Sequence, residues 1–167
     1  MSREPSSPVC YAADADDAYM GYAPRDELLA ALNELLEAER AGARVALASA
    51  KTAAGPDHAA LMQAVRADEA HWCAMLSHQI RRLGGTPSRR TGAFHGKAMA
   101  IADPRERLAF LNRGQAWVVR KLDALTPRVR DDALHADLRA MAQKHRDNIE
   151  RADEYLKDGR PPGPTSR

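Results

Sequence analysis

An acidic residue and a histidine stand three positions apart in the middle of one amphipathic segment. They are Asp68 and His71, within the stretch 66–78 that reads RADEAHWCAMLSH. On an α-helix, side chains three residues apart lie on the same face and reach the same point. Apolar residues share or flank that face, so we expect it to point into a core, where a carboxylate and an imidazole need a partner. A metal ion is one such partner.

Four long helices are predicted around this pair, because apolar residues recur at steps of three and four. Prolines suit the first turns, and Gly-Pro, Gly-Gly and Thr-Pro pairs mark the ends. Asp103 is a candidate N-cap for the third helix, with Glu106 three residues later. The predicted ranges are 24–52, 56–83, 104–125 and 130–157.

The connection between the second and third helices, residues 84–103, is long for neighbouring helices. Twenty extended residues span up to ~66 Å, whereas a helix of about 27 residues is ~40 Å long. The segment can therefore cross the whole bundle, even with a helical turn near residues 97–101. We predict a long crossover between helices two and three.

Each predicted helix carries a polar side chain near its midpoint, at a position where the pattern is otherwise apolar. These side chains are Glu39, Asp68 with His71, Gln115 and His145. Midpoints of bundled helices lie at the same height, whichever way each helix runs. A buried polar group without a partner costs about 1–3 kcal/mol. We therefore predict that these five side chains meet in one central layer.

The pattern resembles the ferritin-like and rubrerythrin-like four-helix bundles over roughly residues 24–157. The shared features are a helix pair, a long crossover, a second helix pair and one ligand-type group per helix. The resemblance implies an all-α fold, a ferritin-like four-helix bundle with a long crossover between helices two and three. It also implies a metal site to which two helices each give a Glu and the other two each give Glu-x-x-His.

The match to that ligand pattern is incomplete. Glu39 matches the carboxylate of the first helix, and Asp68 with His71 matches the second-helix motif with Asp in place of Glu. Gln115 stands at the carboxylate position of the third helix. His145 is present on the fourth helix, but an alanine precedes it by three residues. Two of the four family carboxylates are therefore missing.

Two carboxylates bring a charge of −2, which balances one divalent cation rather than two. The resemblance thus implies a degenerate or mononuclear site for one iron, manganese or zinc ion. Its ligands would come from Glu39, Asp68, His71, Gln115 and His145. The alternative is a metal-free core network in which the histidines hydrogen-bond the carboxylates. The sequence leaves both open.

Composition and charge restrict the rest of the interpretation. A net charge of +2 gives no argument for nucleic-acid or membrane binding, and two cysteines make no disulfide framework. The N-terminus has no apolar signal core, so we expect a cytoplasmic protein. We expect an N-terminal arm over 1–23 that is disordered or binds a partner, a bundle over 24–158 and a disordered tail over 159–167.

Two functional classes follow. In the first, the bundle is an accessory or binding subunit of a larger redox assembly, with a protein partner that is a redox enzyme or a second copy of the chain. In the second, it is a free-standing ferritin-like oxidoreductase that uses O₂ or peroxide at the metal. Whether the protein is an enzyme is left open by the sequence.

Overall fold

A computed structural model describes residues 20–159 of the chain, and these residues form helices and turns without a strand. The predictions for the arm and the tail fall almost entirely on residues outside this range. In the described part of the chain, no helix is both long and apolar enough to cross a membrane.

Residues 20–159 form four long helices and one short helix, which confirms the all-α prediction. The ranges are α1 Arg25–Lys51, α2 Pro56–Arg82, α3 Phe94–Met99, α4 Pro104–Leu125 and α5 Asp132–Asp158. A 3₁₀ turn over Thr126–Arg128 joins α4 to the segment before α5. The long helices lie within about two residues of their predicted ranges, but the short helix begins three residues earlier than the predicted turn at 97.

Aspartate caps fix where α4 and α5 begin. Asp103 Oδ1 accepts hydrogen bonds from the backbone N–H groups of Arg105 (2.9 Å) and Glu106 (2.8 Å). Asp131 accepts one from the N–H of Leu134 (2.8 Å). Such caps satisfy donors that the first helical turn leaves without intrahelical partners. They therefore set the axial position of the side chains that follow.

The crossover returns along the outside of α1. Asn33 donates to the carbonyl of Thr86 (3.3 Å) and accepts from the N–H of Ser88 (2.7 Å). Ser88 also donates its hydroxyl to Glu37 (2.5 Å). These bonds hold the segment against the bundle between the end of α2 and the short helix α3. The predicted long crossover is therefore confirmed.

Contacts at the helix ends give the direction of each helix. Arg128, just after α4, pairs with Glu27 in the first turn of α1. Arg82 at the end of α2 pairs with Asp131 at the start of α5 (2.6 Å). At the other end of the bundle, Arg105 of α4 donates to the carbonyl of Leu156 in α5 (2.6 Å). Helices α1 and α5 thus run one way, and α2 and α4 run the other way.

The core consists of two separate apolar clusters. One is built around Leu32, Leu36, Leu76, Ile80, Leu122 and Leu138, near the start of α1. The other is built around Val45, Met62, Val65, Leu108, Leu111 and Ala152, near its end. Between these two clusters, at half height, lies a layer of buried polar side chains.

The cap of α4 provides a test of this architecture. Replacing Asp103 by Ala removes the acceptor for two N–H groups, so we expect the unfolding free energy to fall by about 1 kcal/mol. Asp103→Asn keeps an acceptor and serves as the matched control, with a loss of only a few tenths. Urea unfolding followed by circular dichroism measures both, and equal losses in the two variants would contradict the capping role.

Candidate metal centre

Each long helix contributes a ligand-type polar side chain to the buried level between the two apolar clusters. The relative exposure of these residues is 3% or less: Glu39 on α1, Glu69 on α2, Gln115 on α4 and His145 on α5. Burying charged groups is costly unless they are paired or bind an ion. We therefore expect these four side chains to be paired with one another or to bind an ion.

Three of these side chains converge on one point. Glu39, Glu69 and His145 each offer one ligand-type atom, and these atoms all lie within 4.8 Å of one another. We call this set the Glu–Glu–His group. Two carboxylates and an imidazole from three different helices form a donor set that suits iron, manganese or zinc.

The protonation of His145 follows from its neighbours. Its Nδ1 lies 3.0 Å from the carbonyl oxygen of Met141, which can only accept, so Nδ1 carries a proton. Its Nε2 lies 3.1 Å from Oε1 of Glu39. In a neutral imidazole with this tautomer, the Nε2 lone pair faces a carboxylate oxygen. A cation, either a proton or a metal ion, must therefore lie at this contact.

The shifted pKa values of Glu69 and His145 indicate the same need for positive charge. Burial and the charge of Glu39 raise the pKa of Glu69 well above its usual range. Burial by itself lowers the pKa of His145, but the charge and hydrogen bond of Glu39 outweigh it, so the pKa is raised. When no metal ion is bound, both shifts favour the protonated forms of Glu69 and His145.

One carboxylate oxygen of the Glu–Glu–His group is left without a hydrogen bond. Oε2 of Glu39 is buried and has no hydrogen-bond partner among the described residues. Such an atom costs about 1–3 kcal/mol if it stays unsatisfied. Coordination of an ion by this oxygen would remove that cost, so the donor set fits a bound metal.

Gly42 makes space for one of the carboxylates. It lies one helical turn after Glu39, and a Cβ atom at this position would be 2.7 Å from the carboxyl carbon of Glu69. Real Cβ atoms do not approach another carbon so closely. Glycine here therefore allows α1 and α2 to hold the two carboxylates side by side.

The sequence-predicted site residues divide into two sets. Glu39, Gln115 and His145 are buried at half height, where the sequence put them. Asp68 is half-buried at the edge, where it accepts from Nδ2 of Asn148 (3.0 Å) and lies 3.6 Å from Nζ of Lys144. His71 is exposed. The prediction that His71 points into the core is therefore wrong, and neither it nor Asp68 joins the Glu–Glu–His group.

The predicted inward face of α2 is displaced by one residue from the observed face. The buried series on this helix is Val65, Glu69, Trp72 and Leu76, with steps of four, three and four. One residue rotates a helix face by about 100°, which is enough to exchange Asp68 for its neighbour. In place of Glu-x-x-His, α2 carries Glu69-x-x-Trp72. The number of carboxylates stays at two, so the charge argument for one divalent ion is unchanged.

A cavity of about 480 Å³ lies beside the group. Glu69 and Gln115 form part of its wall, and Phe94, Phe110 and Trp117 form much of the rest. The site is therefore buried from bulk water on most sides, but a small molecule in the cavity would lie beside one of its carboxylates.

The family of the chain is given by a sequence model. Residues 26–154 match the family described as "Domain of unknown function (DUF6306)", and the chain belongs to this family. The match covers α2 and α4 completely and nearly all of α1 and α5, and it includes the four buried polar positions. A search of curated proteins finds no match.

Two solved structures are similar to this chain in fold. One is described as a dodecameric thioferritin, the bacterioferritin-related protein of Bacteroides fragilis; it has 14% identity and a TM-score of 0.69, covering 83% of this chain and 89% of that chain. The other is a ferritin-like, diiron-carboxylate protein of Bacillus anthracis str. Ames, with 20% identity and a TM-score of 0.59. The match covers 80% of this chain and 93% of that chain. The fold is therefore ferritin-like, as the sequence pattern predicted.

The thiol of Cys73 gives a pH test of this polar layer. Burial, followed by the charges of Glu39 and Glu69, raises the pKa of Cys73 to about 12. At pH 8 only about one thiol in 10⁴ is then ionised, so we expect very slow reaction with a disulfide reagent in the folded protein, rising with pH. The measurement uses a Cys10→Ser background, and the urea-unfolded chain is the control. Equal rates in the folded and unfolded chain would contradict the burial of this thiol.

Proposed function

We propose that this chain binds one divalent transition-metal ion, iron, manganese or zinc, between Glu39, Glu69 and His145. The function that the geometry supports best is that of a ferritin-like protein with a mononuclear metal centre. The observation that carries the proposal is the contact of His145 Nε2 with a carboxylate oxygen at 3.1 Å, while Nδ1 donates to a backbone carbonyl. A histidine that ligates a metal through one nitrogen commonly donates the other to a carbonyl in this way.

Charge balance supports one ion rather than two. Glu39 and Glu69 together bring −2, and neutral His145 adds no charge. Gln115 and Ala142 stand where the ferritin-like pattern would carry the other two carboxylates. A second divalent cation would leave two uncompensated charges in a core with little water.

The roles of the side chains follow from their positions. Glu39 and Glu69 supply oxygen ligands and the compensating charge, and His145 supplies Nε2 with its orientation fixed by the carbonyl of Met141. Three protein ligands leave coordination positions open, as in catalytic rather than structural metal sites. A bound ion there would supply Lewis-acid or redox chemistry.

Adjacent acidic residues on α2 provide a matched pair of variants. Glu69→Gln removes a proposed ligand, and we expect it to reduce bound metal from about one ion per chain to a small fraction. Asp68→Asn changes the neighbouring acid, which faces Asn148, and should keep the metal. Elemental analysis of protein purified without chelator and reloaded with Fe²⁺, Mn²⁺ or Zn²⁺ measures both. Equal metal content in the two variants, or none in the wild type, would overturn the proposal.

Gly42 allows a second test, in which metal binding changes while the fold is kept. Gly42→Ala adds helix propensity worth about 1 kcal/mol, which offsets part of the overpacking cost, and its methyl group displaces the carboxylate of Glu69. We expect metal affinity to fall at least tenfold while the helical content is kept. Gly96→Ala, where an added Cβ meets nothing within 4 Å, is the control and should bind metal normally. Competition with a chelating dye measures the affinities, and unchanged binding by Gly42→Ala would count against the proposed geometry.

The predictions about partners remain predictions. An accessory subunit should co-purify with one redox partner in fixed ratio and lose it on deletion of residues 1–23. A free-standing oxidoreductase should instead turn over O₂ or peroxide alone or as a homo-oligomer. The mononuclear centre is compatible with both, so metal content and partner binding must be measured separately.

A further inference from the structure

We infer that the cavity beside the Glu–Glu–His group binds a neutral, aromatic-sized organic molecule that carries one hydrogen-bonding group such as a hydroxyl. This inference rests on the proposed function, because the proposed ion would lie beside the ligand. It adds the class of small molecule that would reach the metal centre. The cavity itself does not depend on the ion.

The size and walls of the cavity point to such a molecule. A volume of about 480 Å³ lies within the range of small-molecule sites in proteins. The rings of Phe94 and Phe110 stack with their centroids 4.9 Å apart, and Trp117 lines the same space. Flat aromatic walls favour a flat apolar ligand through offset and edge-to-face contacts.

One polar group in the wall lacks a partner. Gln115 is 3% exposed, and its side-chain amide makes no hydrogen bond among the described residues. The sequence places this amide at the midpoint of α4, at the level of Glu69 in the same wall. The amide can donate from Nε2 and accept at Oε1, so a hydroxyl group, which does both, would satisfy it. The polar end of the ligand would therefore lie at the inner end of the cavity.

Charge excludes an anionic ligand from this position. Glu69 faces the cavity, and Glu39 lies behind it within the Glu–Glu–His group. Without the ion, the two carboxyl groups offer nothing to compensate a further negative charge. At the mouth, Glu34 and Glu37 stand with Arg113 and Arg120, so acidic and basic groups balance. Both ends of the cavity thus favour a neutral molecule.

Phe94 packs against α4 at a position where α4 carries a glycine, Gly114. A Cβ atom at Gly114 would lie 2.6 Å from Cζ of Phe94, so glycine lets the ring pack directly on α4 next to Gln115. Phe94 belongs to the short helix α3 in the crossover. The crossover therefore supplies one wall of the cavity as well as the connection between helix pairs.

Three probes that differ only in their polar group test the inference: 1-naphthol, naphthalene and 1-naphthoate. The full chain is titrated in metal-free form and with Zn²⁺, and the fluorescence of the tryptophans reports binding. We expect saturable binding of 1-naphthol, about tenfold tighter than naphthalene because of one hydrogen bond, and weakest binding of 1-naphthoate.

Variants assign the binding to the cavity. Gln115→Leu should remove the tenfold preference for 1-naphthol over naphthalene and leave naphthalene unchanged. Ala38→Phe, which fills the cavity from α1, should weaken both by at least tenfold. Should Ala38→Phe fail to fold, as judged by circular dichroism, Phe94→Ala provides the second variant and should weaken naphthalene severalfold.

His145→Ala separates this inference from the proposed function, because His145 does not line the cavity. Metal loss with retained 1-naphthol binding in this variant supports both. Normal metal binding by the wild type without saturable naphthol binding overturns the cavity inference alone. Equal affinities for the three probes, or an unchanged preference in Gln115→Leu, would also overturn it.

Discussion

The contact between His145 and Glu39 is the constraint on which the centre of this bundle depends. Nδ1 of the imidazole is committed to the carbonyl of Met141, so the lone pair of Nε2 faces a carboxylate oxygen at 3.1 Å. Water cannot screen this contact, because apolar clusters lie on both sides of it along the bundle. Positive charge must therefore be supplied locally, and Glu69, held next to Glu39, increases that demand. A divalent ion satisfies all three side chains at once, whereas protons satisfy them only pairwise.

The architecture brings these residues together from opposite directions. Helices α1 and α5 run one way and α2 the other, so each must begin at the right height for its midpoint to reach the common level. The cap at Asp131 and the pairing of Arg82 with it fix α5 against the end of α2. The absence of a side chain at Gly42 then lets α2 approach α1 closely enough for Glu69. Local sequence signals at the ends of the helices thus determine the geometry at their centres.

Much of this could be predicted from the sequence, but not all. Periodicity, prolines and glycines give the four helices, and polar interruptions of an apolar series identify Glu39, Gln115 and His145. Glu69 could not be distinguished from Asp68 in the same way, because adjacent acids differ only in helix phase, and packing decides that phase. The spacing of Asp68 and His71 matched a ligand motif on the wrong face. The cavity depends on how the crossover packs Phe94 against Gly114, which no local pattern encodes.

Anomalous diffraction from crystals of the metal-loaded protein would locate an ion bound by Glu39, Glu69 and His145. Data collected on both sides of the absorption edge of the bound metal locate the ion and identify it. We predict one peak per chain, about 2.0–2.3 Å from oxygens of Glu39 and Glu69 and from Nε2 of His145. Two peaks about 3.5–4 Å apart would indicate a di-metal centre and contradict this prediction. So would a fully loaded crystal with the metal elsewhere, for example at Asp68 and His71.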